Sequence, residues 1–488
     1  MQDDFSQDMV GRPEEACGVF GVRADGLSVA YLTFDGLYAL QHRGQEAAGM
    51  AVSDGVSVTV VKNMGLVSNV FDDRTLRSLP GYMAIGHTRY STTGASNWRN
   101  AQPAFRSVGE AGFALGHNGN LTNTAELAAE IGMLPGMVSS DSDLIAEMIS
   151  LRYPKPFNLA QQNLIHVAPT AHGPLIDSLM DVLPKLEGAF SLVVMDTHQL
   201  VGVRDPHGFR PLCLGRLGDG YVLASETPAL DVIQAEFVRE IEPGEMVLID
   251  GTGVRSFRPF PADQVDPKLC VFEFVYFARP DSKLLGKEVH GTRRSMGMHL
   301  AKSAPVEADM VMGVPDSGVP AAEGYAKASG IPYGQGLVKN RYIGRTFIAP
   351  DQASRVNAVR RKLNVLADNV SGKRLVVVDD SIVRGTTTRG MVRMLRDAGA
   401  LEIHMRVSSP PYKWPCFYGI DTPSRPELLA AFRTVEEIRE YLEVDSLAYL
   451  SIEDLREAVG IEDGLCDACL TGNYPVPVQV SLTVESAS

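Results

Sequence analysis

The sequence predicts two domains: an α+β domain of stacked antiparallel sheets, followed by an α/β domain with a parallel sheet. Its 488 residues exceed one ordinary core, and a chain of this length favours two domains of about 200 to 250 residues each. In the first half, short apolar segments alternate with Gly-rich turns and helical stretches. In the second half, β-branched strands run into polar turns and then helices, a pattern that builds parallel sheets with ligands at the C-terminal ends of the strands.

Seven segments of the first half are predicted as strands: CGVFGVRA, AAGMAVSD, YMAIGHTRY, FALGHNGN, GAFSLVVMD, YVLASE and EMVLID. A helix is predicted around residues 126–133. The Pro-rich segment at 257–268 marks the joint, so we expect the first domain at 17–255, the second at 256–475 and a tail at 476–488. In the second domain, Thr434 with Glu437 and Ser451 with Asp454 are predicted as capping boxes that open two helices.

The composition excludes several classes of function. A net charge of −14 argues against binding along a nucleic-acid backbone, which requires a basic face. No apolar run approaches the roughly 20 residues that cross a bilayer. The acidic first sixteen residues lack the apolar region of a secretory signal. We therefore expect a cytoplasmic protein that binds neither nucleic acid nor a membrane.

The sharpest signal in the second half is LVVVDDSIVRGTTT at 375–388. Four apolar residues place Asp379 and Asp380 at the end of a buried strand, and a hydroxyl-rich loop leads into a helix predicted from about Thr388. The N–H groups and positive dipole of a helix N-terminus suit a phosphate monoester. The two carboxylates would repel that phosphate unless they meet ribose hydroxyls or Mg²⁺. The full arrangement therefore favours a sugar phosphate with a metal over a purely structural acidic turn.

These residues closely resemble the signature of type I phosphoribosyltransferases, which bind 5-phosphoribosyl pyrophosphate (PRPP). The segment 314–318 resembles the pyrophosphate and Mg²⁺ loop of that family, and 339–345 with 360–362 resemble its mobile basic segment. A charge run is usually a solvated face, but in this acidic chain the cations concentrate beside a predicted anion site. The resemblance implies PRPP contacts from Asp379, Asp380, Ser381, Arg384, Gly385, Thr386, Thr387, Thr388, Lys339 and Arg345, and Mg²⁺ contacts from Ser317, Asp379 and Asp380.

Five motifs of the first half occur in a fixed order: CGVFG, QHRGQ, HTRYST, GHNGN and SDSD. Together they resemble the N-terminal-nucleophile (Ntn) glutamine amidotransferase domain over roughly residues 17–250. An N-terminal cysteine carries both a nucleophile and a base, since its α-amino group titrates near neutral pH. This chemistry requires a free amine on Cys17. We therefore predict that residues 1–16 are a propeptide, which the protein removes by its own cleavage.

The glutaminase chemistry assigns a role to each of four further residues. Asn118 and the Gly119 N–H would form the oxyanion hole. Arg89 would grip the α-carboxylate of glutamine, and Asp141, in preference to Asp143, would bind its α-ammonium. Each residue has a structural alternative that is at least as probable on its own: an ion pair for Arg89, a type I′ hairpin turn for Asn118-Gly119 and a helix N-cap for Asp141. The ordered set favours the catalytic interpretation.

Four cysteines of the second half form a further set: Cys270, Cys416, Cys466 and Cys469. The last two form a CxxC, and four thiolates suit either zinc or an iron–sulfur cluster, so spacing leaves both open. One subgroup of glutamine-dependent PRPP amidotransferases has both a propeptide and a [4Fe–4S] cluster, with cysteines in similar contexts. This resemblance implies a [4Fe–4S] cluster with a structural or oxygen-sensing role. Cys213 is predicted as a buried core residue.

The two resemblances cover nearly the whole chain and imply an enzyme of the glutamine-dependent PRPP amidotransferase family. It would form 5-phosphoribosylamine, glutamate and pyrophosphate in the first committed step of de novo purine synthesis. The family further implies an interdomain passage for ammonia, inhibition by purine nucleotides and a homo-oligomer.

Two alternatives stay open. A non-catalytic PRPP or nucleotide sensor with a dead glutaminase is disfavoured by the intact Cys17, Arg89, Asn118 and Asp141. An Ntn amidotransferase with another acceptor is disfavoured because the chain has no SGGxDS-like loop and does carry VVVDDSIVRGTTT.

Overall fold

The computed structural model describes residues 17–90, 97–108, 112–133, 140–153, 172–340, 362–420 and 425–478. These residues form two compact units. The N-terminal unit contains 17–270, 416–420 and 473–478, and the C-terminal unit contains 271–340, 362–415 and 425–472. The domain bounds predicted from the Pro-rich segment, 17–255 and 256–475, stay a prediction.

The N-terminal unit contains two sheets that are antiparallel throughout, as the alternating segments predict. Among the described residues, the first sheet has seven strands, in the spatial order Glu236–Glu240, Cys213–Leu217, Gly220–Ala224, Gly18–Arg23, Met83–Arg89, Ala47–Ser53 and Val58–Met64. The second has six in the same described part, in the order Gly253–Phe257, Met246–Asp250, Leu200–Arg204, Gly188–Met195, Phe113–Leu121 and Ala104–Arg106. All seven strands predicted for this half are present.

The two sheets pack face to face, and helices cover both outer faces. Successive strand residues point to opposite faces, so Val19 enters the core between the sheets, whereas Phe20 packs under helices. The first sheet is covered by Val29–Ala39, Val67–Val70, Asp73–Arg77 and Pro228–Asp231. The second is covered by Thr124–Glu130, Asp141–Arg152 and Pro174–Val182. Cys213 is buried in the first of these outer cores, as predicted.

The C-terminal unit contains a parallel sheet, which confirms the predicted α/β class. Its strands lie in the order Met310–Gly313, Arg374–Asp379, Glu402–Val407 and Ser446–Tyr449. The second strand is apolar on both faces because elements pack on each side of it. Short strands pair at Lys283–Leu284 with Lys287–Glu288, and at Leu337–Lys339 with Leu363–Val365. The α-helices are Val289–Ser303, Val319–Ser329, Ala367–Val370, Thr386–Asp397, Leu429–Phe432, Val435–Leu442, Ile452–Val459 and Ala468–Thr471.

The remaining elements are short strands and single helical turns. Two-residue strands occur at Leu269–Cys270 and Leu465–Cys466, and a π-helical turn occurs at Glu273–Phe277. Turns of 3₁₀ helix are found at Gln41–Arg43, Trp98–Asn100, Leu183–Lys185, Ala262–Gln264 and Arg425–Glu427. Within the described ranges, no helix is both long and apolar enough to span a bilayer.

The predicted helix starts are correct at two positions and late at a third. Thr434 and Glu437 form a complete capping box, and Ser451 Oγ accepts the N–H of Asp454 at 2.9 Å. The helix predicted from about Thr388 begins instead at Thr386. Gly385 has a φ of 75° and turns the chain sharply enough for the helix to start two residues early.

Two helices of the C-terminal unit approach each other closely at glycines. A Cβ added to Gly297 would lie 1.8 Å from the carbonyl oxygen of Ala321, and one on Gly324 would lie 1.9 Å from that of Arg294. The backbones of Val289–Ser303 and Val319–Ser329 are therefore in direct contact, and both positions require glycine.

We predict that Gly297→Ala lowers stability by about 1–3 kcal/mol, because the added methyl must force the helices apart. Gly291 lies in the same helix, and a Cβ there would meet nothing closer than Glu288 Oε2 at 3.8 Å. Gly291→Ala should therefore raise stability by about 0.5–1 kcal/mol through helix propensity. Thermal unfolding of the two variants measures the contrast, and equal shifts in the melting temperature would contradict the close approach.

Candidate active site

Cys17 directly precedes the first strand and is buried, with 6% of its surface exposed. Its Sγ lies 3.4 Å from both the N and the O of Tyr90. Burial is the main reason why the pKa of the thiol rises to about 12; the charge of Arg89 opposes this, and Asp141 adds to it. As an internal residue, Cys17 therefore keeps its proton at neutral pH and requires a base.

A buried ion pair fixes the backbone of Cys17. Arg43 Nε donates to the carbonyl oxygen of Cys17 at 3.2 Å, and its Nη1 contacts Glu226 Oε1. His42 Nε2 lies 2.7 Å from the same carboxylate oxygen. Arg43 and Glu226 are each 1% exposed, so each charge compensates the other away from water. Sequence reasoning gave neither residue a role, although Arg43 lies in the motif QHRGQ and Glu226 in the predicted strand YVLASE.

Arg89 and Asp141 lie close enough to Cys17 for both charges to act on its pKa. Arg89 ends the strand Met83–Arg89 and is 3% exposed. Asp141 is the first residue of its helix and not the N-cap, because Ser140 takes the capping position and accepts the N–H of Asp143. Asp143 instead pairs with Arg106 at 2.6 Å and is partly exposed. The geometry thus supports the choice of Asp141 over Asp143.

The pKa of Asp141 lies below its usual range. Burial alone would raise this pKa, but the charge and hydrogen bond of His117 and the N–H groups of Leu121 and Ser142 outweigh burial. The distances to Asp141 are 3.6 Å from His117 Nδ1, 3.3 Å from Leu121 N and 2.8 Å from Ser142 N. Asp141 is therefore a buried anion, as a partner for an ammonium group must be.

Asn118 and Gly119 lie inside the strand Phe113–Leu121, so the hairpin-turn alternative is wrong. Asn118 is fully buried, and within the described part of the chain neither its Oδ1 nor its Nδ2 has a hydrogen-bond partner. A buried amide without partners is costly and calls for an explanation. A substrate atom that arrives during reaction provides one.

The strand directs the Gly119 N–H away from its sheet neighbour. Phe190 lies opposite Gly119 in the neighbouring strand. Its N–H donates to Asp205 Oδ2 and its carbonyl oxygen accepts the N–H of Asp205, so the backbone polar groups of Phe190 and Gly119 point away from each other. The N–H groups of His117 and Leu121, two residues before and after Gly119, point to the same side as the Gly119 N–H. The first donates to Gln102 Oε1 at 2.7 Å and the second to Asp141 Oδ2. Gly119 lies between two donors that side chains already satisfy.

In the C-terminal unit, the predicted PRPP residues gather at the C-terminal edge of the parallel sheet. Asp379 ends the strand Arg374–Asp379 and Asp380 follows it, and both are buried. Ser317 Oγ donates to Asp380 Oδ2, and Ser381 Oγ donates to Asp380 Oδ1 at 2.6 Å. Ser317 and Asp380, two of the three predicted Mg²⁺ residues, are thus in contact.

The loop after the two aspartates ends in a helix N-terminus without a side-chain cap. Gly385 is the N-cap residue, and Thr386, Thr387 and Thr388 form the first turn. The first N–H groups of a helix have no intrahelical acceptor and favour anions. Arg384 pairs with Glu427 at 2.9 Å.

Lys339 lies beside the predicted pyrophosphate loop, since its Nζ contacts Asp316 Oδ2 at 2.7 Å. Arg345 and the basic residues at 360–361 lie outside the described residues. Three of the four cysteines predicted as cluster ligands, Cys270, Cys466 and Cys469, are buried. Burial also raises the pKa of Cys416.

Comparison with known proteins identifies the family. Residues 87–232 match the glutamine amidotransferase domain, and residues 292–409 match the phosphoribosyl transferase domain. The amidophosphoribosyltransferase of Mycobacterium leprae is 53% identical over 487 residues, covering 97% of this chain and 83% of that protein. The Bacillus subtilis amidophosphoribosyltransferase is 44% identical and covers 95% of each chain. The chain belongs to the amidophosphoribosyltransferase family.

Solved structures of this family agree over the whole fold. The B. subtilis glutamine PRPP amidotransferase, in complex with ADP and GMP, superposes with a TM-score of 0.85 at 44% identity, covering 95% of this chain and 98% of that one. A structure described as the allosteric regulatory enzyme of purine biosynthesis gives a TM-score of 0.86 at 44% identity, with 95% and 97% covered. Amidophosphoribosyltransferases use glutamine to aminate PRPP in purine biosynthesis, and the chain is an enzyme of this kind.

We predict that Asn118→Ala lowers kcat for glutamine hydrolysis by about 10²–10³, the usual loss on removal of one oxyanion donor. Asn63 is exposed on the strand Val58–Met64, so Asn63→Ala is a matched control that should leave kcat unchanged. Glutamate release measures both. Hydrolysis by Asn118→Ala within about threefold of the wild type would exclude the oxyanion role.

A second prediction concerns pH. Burial lowers the pKa of His87 from 6.5 to about 3. Below pH 6.5 the unfolded chain binds a proton there and the folded chain does not, so stability falls as pH drops from 6.5 toward 3, by at most about 1.4 kcal/mol per pH unit.

His87→Gln should therefore flatten the fall in melting temperature between pH 6.5 and 5. His198 is exposed, and His198→Gln serves as the control with an unaltered slope. Identical slopes for His87→Gln and the wild type would contradict a buried neutral ring at position 87.

Proposed function

We propose that this chain forms 5-phosphoribosylamine from PRPP with ammonia that Cys17 releases from glutamine. The observation that carries the proposal is the surroundings of Cys17: a buried thiol within reach of a buried cation, Arg89, and a buried anion, Asp141. These charges match the α-carboxylate and α-ammonium of an amino acid. A dead glutaminase in a sensor protein would have no use for the unpaired amide of Asn118.

In the glutaminase reaction, Cys17 attacks the side-chain amide of glutamine. Its thiol proton passes through its own α-amino group, which is a free base only after cleavage between Ala16 and Cys17. The Asn118 amide and the Gly119 N–H bind the oxyanion. Collapse of the intermediate releases ammonia and leaves a glutamyl thioester, which water hydrolyses to glutamate.

In the phosphoribosyltransferase reaction, the N–H and hydroxyl groups of Thr386, Thr387 and Thr388 bind the 5-phosphate of PRPP. Asp379 and Asp380 face the ribose hydroxyls, and Lys339 binds the pyrophosphate. Ammonia attacks C1, pyrophosphate leaves, and the product is 5-phosphoribosylamine. Water must be kept out, because both PRPP and the product hydrolyse.

Mg²⁺ fits the oxygen groups that converge at Asp380. Ser317 and Ser381 both donate to this carboxylate, and Asp379 lies next to it, an all-oxygen set of the kind that Mg²⁺ prefers. When bound, Mg²⁺ would neutralise charge on the leaving pyrophosphate. Ser317, Asp379 and Asp380 are the residues that would hold it.

A [4Fe–4S] cluster fits the thiolate donors that Cys270, Cys416, Cys466 and Cys469 can supply. Zinc would fit the same donors. The cluster is proposed from the resemblance of the sequence contexts, and its role is structural or oxygen-sensing.

Purine nucleotides are the proposed inhibitors, supported by the B. subtilis relative solved with ADP and GMP. A homo-oligomer and a cytoplasmic location remain proposals from the sequence and its family.

We predict that wild-type protein releases glutamate from glutamine faster when PRPP is present. Cys17→Ala should abolish glutamine-dependent synthesis, whereas high ammonia should still support it, because the C-terminal site does not use the thiol. Pyrophosphate release with each nitrogen donor measures both. Absence of PRPP stimulation would favour the sensor, and loss of both activities in Cys17→Ala would show that the two sites are not separable.

For the cysteines, we predict a brown protein with broad absorbance near about 400 nm, typical of iron–sulfur clusters. Cys466→Ser should remove the colour, whereas Cys213→Ser should retain it, because Cys213 lies in the core of the N-terminal unit. Iron and zinc analysis of the purified protein completes the test. Colourless protein with stoichiometric zinc would overturn the cluster assignment.

A further inference from the structure

A short piece of the second half of the chain folds into the N-terminal unit. Residues 416–420, here called the strap, belong to that unit, whereas the residues before them, up to Pro415, belong to the C-terminal unit. Tyr418, Gly419 and Ile420 are buried. The strap therefore contributes to the interior of the glutaminase although it lies about 300 residues from the oxyanion strand in sequence.

Tyr418 anchors the strap at three points. Arg210 donates from Nη2 and Nε to the carbonyl oxygen of Tyr418, at 2.9 and 3.2 Å. The ring of Tyr418 stacks on Phe209 with centroids 4.4 Å apart, and its hydroxyl donates to Val476 O at 2.7 Å. Arg210 is fully buried, so its guanidinium has no access to solvent where it binds Tyr418. These contacts hold the strap in place.

From this position the strap contacts the strand that carries the predicted oxyanion hole. Asn120 Nδ2 donates to Phe417 O at 3.0 Å. Gly419 packs on Gly119 so closely that a Cβ on Gly419 would lie 3.1 Å from both Cα and C of Gly119. A Cβ on Gly119 would itself lie 2.0 Å from Ala189 O. The Gly119 backbone is thus confined by the neighbouring strand and by the strap.

We propose that the strap is a positioning element for the oxyanion hole, with Gly419 as its contact to Gly119 and Arg210 as its anchor. The inference rests on the proposed role of Gly119 as an oxyanion donor. Such a donor must lie about 2.7–3.1 Å from the developing oxyanion. Supporting residues must hold that geometry within about 0.5 Å. A methyl group on Gly419 would lie 3.1 Å from the Gly119 backbone, so one of the two must move by a few tenths of an ångström, a displacement on this scale.

Simple packing is the alternative, and catalysis distinguishes the two. If the strap only fills space, a methyl group at Gly419 changes the stability of the protein but not kcat. If the strap positions Gly119, the same methyl shifts the donor by a few tenths of an ångström. That shift weakens the hydrogen bond that stabilises the transition state. It does not change how glutamine binds to Arg89 and Asp141.

The test compares Gly419→Ala with Gly26→Ala. Both glycines have a positive φ, 95° and 78°, but a Cβ on Gly26 would meet no atom within 4 Å. The control therefore also places a side chain at a positive φ, but without the contact. We expect Gly419→Ala to lower kcat for glutamine hydrolysis about tenfold or more, a part of the loss that follows removal of a whole donor. Its KM for glutamine and its ammonia-dependent synthesis should match those of Gly26→Ala.

Alkylation of Cys17 by iodoacetamide supplies a readout that general distortion would alter. Direct displacement of iodide forms no oxyanion, so its rate should be equal in Gly419→Ala, Gly26→Ala and the wild type. Asn120→Ser, which removes the donor to Phe417 O, should shift kcat in the same direction and provides a second variant if Gly419→Ala does not fold.

Two results would overturn the inference. One is a kcat for Gly419→Ala equal to that of Gly26→Ala, with no loss in Asn120→Ser. The other is a parallel fall in kcat, alkylation rate and ammonia-dependent synthesis. Failure of the wild type to release glutamate would instead overturn the proposed function itself.

Discussion

Burial of the Cys17 thiol is the constraint on which the rest of the glutaminase site depends. Away from water its pKa rises to about 12, so the nucleophile cannot form without a base inside the site. A free α-amino group on the same residue, as proposed, would meet this need without a second titrating side chain. Arg43 supports this arrangement because it holds the carbonyl of Cys17 while Glu226 balances its charge. Cys17 is thereby held through its carbonyl group.

Both units place several of their candidate site residues at the ends of strands. In the N-terminal unit, Gly18 pairs with Thr88, so Cys17 and Arg89 lie at the same end of neighbouring strands. The hydrogen bond from His87 to His117 O joins this sheet to the strand of Asn118. In the C-terminal unit, parallel strands bring Asp379 to the same edge as the loop after Gly313. Cys17, Arg89 and Asp379 thus lie where backbone pairing ends, whereas Asn118 and Gly119 lie inside a paired strand.

Much of this could be predicted from sequence, because apolar alternation and strand–turn–helix order are local. The Asn118-Gly119 pair shows the limit: the dipeptide is a strong hairpin signal, yet Gly119 continues the strand. Its φ of 151° is open to glycine because glycine has no Cβ. Glu226 was not foreseen as the partner of Arg43, since 183 residues separate them. The strap was not foreseen either, because no periodicity marks a segment that joins a distant core. Such contacts are set by tertiary packing and leave no local pattern.

N-terminal sequencing of the mature enzyme, combined with its rate of glutamine hydrolysis, tests the central claim most directly. We predict that active protein begins at Cys17, and that protein which retains residues 1–16 hydrolyses glutamine negligibly. Full glutaminase activity in a polypeptide that begins at Met1 would contradict it, because the amide nitrogen of an internal Cys17 cannot accept the thiol proton.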